Sequence, residues 1–109
     1  MSANKAKGTR HETAVVNYLK DFGHDARRVV QTGRNDTGDI HVNDMIVIEA
    51  KDEARHRFPE YIRQANREAT NAGLPYGVAV VKRRNANIRD AFVVMDLEMF
   101  ARLISHVQR

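Results

Sequence analysis

The chain contains no cysteine, which excludes a disulfide framework and any zinc site with thiolate ligands. It also has no apolar run that approaches the roughly 20 residues of a membrane-spanning helix. The N-terminal segment MSANKAKGTR lacks the apolar region of a signal peptide. These absences predict a cytoplasmic protein with no membrane contact, in the host cytoplasm if the source is viral.

Motifs that are typical of zinc enzymes and of sequence-specific DNA-binding proteins are also missing. The five histidines do not have the spacing of zinc ligands such as His-Glu-x-x-His. No helix-turn-helix or zinc-finger pattern offers direct recognition of bases. No repeat, low-complexity tract or linker divides the chain, so its 109 residues predict one domain, with residues 1–7 as a flexible basic end.

The charge of the chain indicates a polyanionic partner without identifying it. The sequence has 18 Lys and Arg against 14 Asp and Glu, which gives a net charge of +4. A basic surface favours nucleic acids because each phosphate contact releases condensed counterions. An excess of this size is equally compatible with an ordinary solvated surface. The positions of specific side chains are therefore needed to distinguish a nucleic-acid-binding protein from any other basic protein.

Hydrophobic periodicity and turn-forming residues predict eight elements in the order α-β-β-β-α-β-β-α. A tight hairpin followed by a helical crossover predicts a mixed β-sheet flanked by helices on both sides, which is an α/β fold. The predicted elements are a helix at 9–21, strands at 26–31, 39–42 and 45–51, a helix at 59–72 that Gly73 closes, strands at 76–82 and 91–95, and a last helix that Asp96 caps.

Capping residues and apolar stripes refine three of these elements. Thr9 and Glu12 have the spacing of a capping box, which predicts that the first helix begins at Thr9. The strand at 76–82 is apolar throughout and is expected to be buried on both faces. The last helix carries a stripe that we expect to lie in the core or against a second copy of the chain. The stripe consists of Leu97, Phe100, Leu103, Ile104 and Val107.

The segment from residue 39 to residue 51 carries the chemistry. In a strand that ends at Lys51, Glu49 and Lys51 lie on one face, while the isoleucines lie on the other. Burial of Ile46 and Ile48 is expected to leave the two charged groups on the accessible face. Their alternation therefore predicts an acidic and a basic group side by side at the end of the strand.

Asn43 and Asp44 predict a turn between the second and third strands, and the length of this turn decides whether Asp39 joins these groups. A two-residue turn would place Asp39 opposite Ile48, on the wrong face. A three-residue turn through Met45 places Asp39 opposite Glu49 and Ile40 opposite Ile48. We predict the second register because it buries the isoleucines together. The adjacent carboxylates then need a cation, and magnesium is the natural oxygen-seeking candidate.

These residues resemble the signature of the PD-(D/E)xK nuclease superfamily. Gly38-Asp39 is followed after nine residues by Glu49-Ala50-Lys51. Within the superfamily, the chain is most similar to Holliday junction resolvases of the archaeal type. The similarity includes the Lys-Gly-x-x-x-Glu segment at 7–12, the turn-rich loop at 32–38 and the Gly-Leu-Pro turn at 73–75.

The resemblance extends over residues 7–82 and has two departures. Gly38 occupies the position that gives the motif its proline, and the loop at 32–38 lacks the serine-rich character of the archaeal enzymes. The fold that the resemblance implies is the αβββαβ core of restriction endonucleases. The nuclease interpretation is therefore better supported than specificity for junctions.

The resemblance also implies roles for individual residues. Asp39, Glu49 and the carbonyl group of Ala50 would bind Mg²⁺, for which Mn²⁺ would substitute. Lys51 would orient the attacking water or stabilise charge on the phosphate, and Glu12 would assist from the first helix as a catalytic and metal-binding residue. The residues expected to contact DNA are Lys7, Arg10, Arg34 and Gln64.

The implied function is a magnesium-dependent endodeoxyribonuclease that resolves four-way DNA junctions in recombination and repair. Two symmetric cuts require two active sites, which predicts a homodimer. Two alternatives remain open: a nicking or duplex endonuclease of the same fold, and a non-catalytic DNA-binding protein. Taken singly, Asp39, Lys51 and Glu12 also fit ordinary structural roles, as a strand start, a surface lysine and a capping residue.

Overall fold

A computed structural model describes residues 3–108, which form a five-stranded mixed sheet, three α-helices and a short 3₁₀ turn. The strands lie in the sheet in chain order, and every neighbouring pair is antiparallel except the parallel pair of the third and fourth strands. The elements are α1 Ala3–Asp21, β1 Ala26–Arg28, β2 Ile40–Val42, β3 Ile46–Lys51, α2 Phe58–Ala72, β4 Tyr76–Val81, the 3₁₀ turn Ile88–Asp90, β5 Phe92–Val94 and α3 Leu97–Val107. The predicted α/β class and order of the main elements are confirmed.

The sheet has helices on both faces. One face packs against α1 through Val15 and Val16, together with Ile40 and Ile48 of the hairpin. The other face packs against α2, which approaches β4 so closely that a Cβ atom at Gly77 would overlap a backbone carbonyl group of the helix. None of the helices in the described residues is long and apolar enough to cross a membrane.

Two predicted boundaries are wrong by three residues or more. Helix α1 begins at Ala3 rather than Thr9, so Thr9 lies inside the helix and is not its N-cap. Residues 3–7, expected to be a flexible end, are helical because they are rich in the helix formers Ala and Lys; Met1 and Ser2 lie outside the described residues. Strand β1 ends at Arg28. Arg28 pairs with Ile40, the first residue of β2, so β1 has no partner strand beyond this point.

The hairpin between β2 and β3 has the predicted register. Ile40 pairs with Ile48, and Val42 pairs with Ile46. The loop has the three residues of the predicted register, from Asn43 to Met45, and its first two, Asn43 and Asp44, are in the left-handed conformation with φ angles of 55° and 52°. Asn and Asp tolerate this conformation better than other residues with side chains, which is why the sequence predicts the turn at this position.

Three further predictions about element ends and burial are confirmed. Gly73 closes α2 in the left-handed conformation, with φ 70°. Asp96 is the N-cap of α3, because its side chain accepts a hydrogen bond of 2.8 Å from the backbone of Met99. All six residues of β4 are buried, as expected for a central strand.

Candidate active site

Asp39 lies just before β2 and is held by β3 through two hydrogen bonds. Its backbone N–H donates to the carbonyl group of Ile48 at 3.0 Å. Its carboxylate Oδ2 accepts from the N–H of Ala50 at 2.9 Å. Lys51 accepts a backbone hydrogen bond from Lys82, so the backbone polar groups of Ala50, one residue earlier, point the opposite way. Asp39 therefore occupies the edge of β3 where β2 no longer covers it.

Glu49 and Lys51 lie beside this edge and form an ion pair with an Nζ–Oε2 distance of 3.1 Å. The Lys51 ammonium also lies 5.3 Å from the ring centre of Tyr61 on α2. The prediction that Glu49 is on an accessible face is wrong: the residue is only 5% exposed, because α2 covers this face. Alternation assigns a residue to a face but does not tell which helix will cover it.

Burial and mutual repulsion shift the titration of these groups. Removal from water, followed by the charge of Glu49, raises the pKa of Asp39 to about 7. Burial acts to lower the pKa of Lys51, but the charge and hydrogen bond of Glu49 outweigh it, so the net pKa of Lys51 is raised. Lys51 is therefore a cation at neutral pH, and the carboxyl group of Asp39 loses its proton less readily than that of an ordinary aspartate.

A third carboxylate that the sequence interpretation missed lies under this site. Glu68 of α2 is 0% exposed, and neither of its carboxylate oxygens has a hydrogen-bond partner within the described residues. Burial, followed by the nearby carboxylates of Asp36 and Glu49, raises its pKa to about 10. The helical period contained a signal, since Glu68 follows the buried Tyr61 by seven residues and so faces the sheet.

Gly38 has a backbone conformation that excludes proline at this position. Its φ angle is +93°, which proline cannot adopt because its ring fixes φ near −65°. A Cβ atom at this position would overlap the side chain of Val47 and lie 3.5 Å from Oε1 of Glu68. Glycine is thus required by the path of the backbone over the buried carboxylate.

The comparisons with known proteins found no relative. No family model matched the chain, and neither did any curated protein or solved structure. The functional interpretation therefore depends on the residues and geometry of this chain.

Glu12 is not brought together with the other three predicted catalytic residues. Its carboxylate pairs with Arg28 of β1 at 3.0 Å. Arg28 is the cross-strand neighbour of Ile40, whose side chain lies on the face covered by α1. Glu49 lies on the opposite face, so the sheet separates it from Glu12. A role for Glu12 in the site stays a prediction.

The residues predicted to contact DNA differ in their surroundings. Lys7 lies 3.8 Å from the carboxylate of Asp52, while Arg10 on α1 is exposed. Arg34 is exposed in the loop between β1 and β2. Gln64 is half-buried and lies one turn from Glu68 on the sheet-facing side of α2.

The donor set fits magnesium better than a metal that needs an all-protein cage. Within residues 3–108, no group of three or more His, Cys, Asp or Glu side chains is arranged to hold a metal ion. Asp39, Glu49 and the carbonyl group of Ala50 supply two carboxylates and one backbone oxygen. Mg²⁺ is commonly bound by one or two carboxylates, with water and substrate phosphates completing its shell. The partly desolvated carboxylate pair, with the raised pKa of Asp39, is the kind of site that a cation stabilises.

Proposed function

We propose that the protein is a magnesium-dependent, structure-selective DNA endonuclease that acts on four-way junctions as a Holliday junction resolvase. The observation that carries the proposal is the convergence of Asp39, Glu49 and Lys51 at one edge of β3. Partly desolvated carboxylates that repel each other beside a charged lysine are typical of functional sites, where such groups are arranged to act on a ligand. Hydrolysis of a phosphodiester uses this combination of groups.

Each residue has a definite task in this reaction. Asp39, Glu49 and the carbonyl group of Ala50 would hold Mg²⁺, which when bound polarises a phosphate and lowers the pKa of a coordinated water. The hydrogen bond from the N–H of Ala50 fixes the Asp39 carboxylate against β3. Because Glu49 keeps Lys51 protonated, Lys51 acts as a cation that orients water and stabilises negative charge on the phosphate, rather than as a general base.

The proposed homodimer has a candidate interface on α3. The apolar stripe of this helix was expected in the core or against a second copy of the chain, and the first position does not apply to most of it, since Leu97 is 80% exposed and Val107 is 76% exposed. Phe100 and Ile104 lie between them on the same stripe and are also exposed. Identical stripes are self-complementary about a two-fold axis, and a dimer supplies the two active sites that paired cuts require. The apolar side of α2 is already buried against the sheet.

Cleavage by purified protein in Mg²⁺ tests the proposal. The substrates are an immobile four-way junction, a linear duplex of the same sequence and its single strands. Symmetric paired nicks in the junction alone, lost in Lys51→Ala, are the expected result. Cutting of linear duplex at a similar rate would replace the resolvase with a nicking or duplex nuclease of restriction or repair.

A specific observation favours a second candidate, a non-catalytic DNA-binding protein. Glu49 is almost completely buried, and its charge is neutralised by Lys51 within the protein. Such a pair can persist without any metal. Binding of DNA with no cleavage in either Mg²⁺ or Mn²⁺, unchanged by Asp39→Asn, would establish this candidate and exclude the nuclease.

A further inference from the structure

A row of three adjacent depressions begins beside Lys51 of the candidate active site. Its first part, about 450 Å³, lies between α1 and the end of β3 and is lined by Lys7, Lys51 and Asp52. The second part, about 300 Å³, shares Lys7 and Asp52 with the first and extends to Lys82 and Arg84 beyond β4. We call these two parts, with the third described next, the basic groove.

The third part of the basic groove, about 260 Å³, continues on the other side of Lys82. Arg10 of α1 and Arg83 line this part. Because Lys82 borders both the second and the third parts, the three depressions lie next to one another between the end of β3 and the segment after β4.

The residues that line the basic groove are predominantly basic. Six of them are basic and two, Asp52 and Glu53, are acidic. The excess of four positive charges is as large as the formal net charge of the whole chain. The six basic residues are Lys7, Arg10, Lys51, Lys82, Arg83 and Arg84.

The acidic groups in the basic groove neutralise only part of this charge. Asp52 lies 3.8 Å from both Lys7 and Lys82, so a single carboxylate serves two ammonium groups. Arg83 stacks on the ring of Phe92 at 5.0 Å, which orients its guanidinium without neutralising it. Arg84 is exposed. The groove therefore offers oriented cations in a concave surface, next to Lys51.

We propose that the basic groove binds the phosphate backbone of a DNA duplex arm and leads it to the candidate active site. The inference rests on the proposed function, because it assigns the groove the substrate of the same site. It adds Lys82, Arg83 and Arg84 to the residues that contact DNA. Contacts with phosphates position a duplex without reading its sequence, as a structure-selective enzyme requires.

The salt dependence of DNA binding tests the basic groove separately from cleavage. Binding of a fluorescent four-way junction is measured by anisotropy from 50 to 200 mM salt, with every protein carrying Asp39→Asn so that no DNA is cut. The test variant is Arg83→Gln/Arg84→Gln. The matched control is Arg27→Gln/Arg102→Gln, which removes the same charge from exposed ion pairs outside the groove.

The test variant should bind more weakly and depend less on salt. Each lost phosphate contact lowers the slope of log K against log salt by about 0.9, so two contacts lower it by about 1.8. The parent protein carries Asp39→Asn alone. The ratio of its affinity for the junction to that of the test variant should be about 12 times smaller at 200 mM salt than at 50 mM salt. The control should keep the slope of the parent. If loss of the Arg83 stacking prevents folding, Arg10→Gln/Arg84→Gln replaces the test variant.

The possible failures are distinguishable. An unchanged slope in the test variant, or an equal loss of slope in the control, would overturn the proposal that the basic groove binds DNA. The nuclease proposal would remain intact. A reduced slope, together with no cleavage by the native protein, would support the groove and overturn the nuclease. Absence of DNA binding by the parent protein would overturn the groove, and cleavage by the native protein would then decide the nuclease separately.

Discussion

The two faces of the sheet are built from the same strands but differ in what they bury. The face under α1 is apolar and packs Ile40 and Ile48 against the helix. The face under α2 encloses Glu49 and Glu68, both almost without access to water. Burial of carboxylates costs stability, so packing alone does not account for the second face. The apolar face provides the stability that allows the acidic face to exist.

The largest expected effect is on catalysis, at the acidic face. Asp39→Asn should reduce cleavage at least 100-fold, which corresponds to about 2.7 kcal/mol of transition-state stabilisation. The asparagine oxygen can still accept the hydrogen bond from Ala50, so the fold should be retained. Single-turnover cleavage of a junction measures the effect. Asp44→Asn, in the exposed turn of the same hairpin, is the control and should cut normally.

A matched pair of core substitutions compares the two faces directly. Val80 packs under α1 and Val81 packs under α2, and they are neighbours on β4. Val80→Ala should lower the free energy of unfolding by about 2–3 kcal/mol. Val81→Ala should cost about 1–2 kcal/mol, because the flexible stem of Lys51, its neighbour across the sheet, can fill part of the space. Urea unfolding measures both, and an equal or reversed order would contradict the comparison.

The acidic face should make stability fall as pH rises. The folded protein keeps a proton on Asp39 up to about pH 7, whereas its ordinary pKa is 3.8. It keeps a proton on Glu68 up to about pH 10, against an ordinary value of 4.5. The folded state therefore binds more protons than the unfolded state between these values, and its advantage is progressively lost as pH increases.

Substitution separates these two contributions to the pH dependence. Glu68→Gln should flatten the fall in melting temperature between pH 7 and pH 9, and Asp39→Asn should flatten the fall between pH 4 and pH 7. Melting curves at pH 5, 7 and 9 measure both effects. Glu60→Gln, on the same helix but exposed, is the control for the first substitution. Parallel curves for Glu68→Gln and the native protein would show that Glu68 does not hold a proton.

The smallest effect is expected from Glu12, on the apolar side of the sheet. Its ion pair with Arg28 is partly exposed, and such pairs contribute about 0–1 kcal/mol. Glu12→Gln should therefore change stability by less than about 1 kcal/mol and leave most of the cleavage rate. Arg28→Gln removes the other half of the pair and should behave in the same way. A loss of cleavage as large as that of Asp39→Asn would place Glu12 in the active site. It would contradict the conclusion that the sheet separates Glu12 from the catalytic residues.

Local patterns predicted the parts of the structure that depend on neighbouring residues. The alternation in β3, the turn at Asn43-Asp44, the cap at Asp96 and the end of α2 at Gly73 were all predicted correctly. Each depends on backbone geometry within a few residues, which the residue types themselves express. The choice between the two hairpin registers was also correct, because only one of them buries Ile40 against Ile48.

The sequence by itself thus determined the mixed α/β fold, the hairpin register and the proximity of Asp39 to Glu49. Only the tertiary structure decided that α2 buries Glu49, that Glu68 lies below the site and that Glu12 pairs with Arg28 on the face covered by α1. It also decided that basic residues from α1 and from the segment after β4 line the same row of depressions. These features depend on how elements far apart in the chain cover the sheet, and periodicity within one element contains no information about its partner.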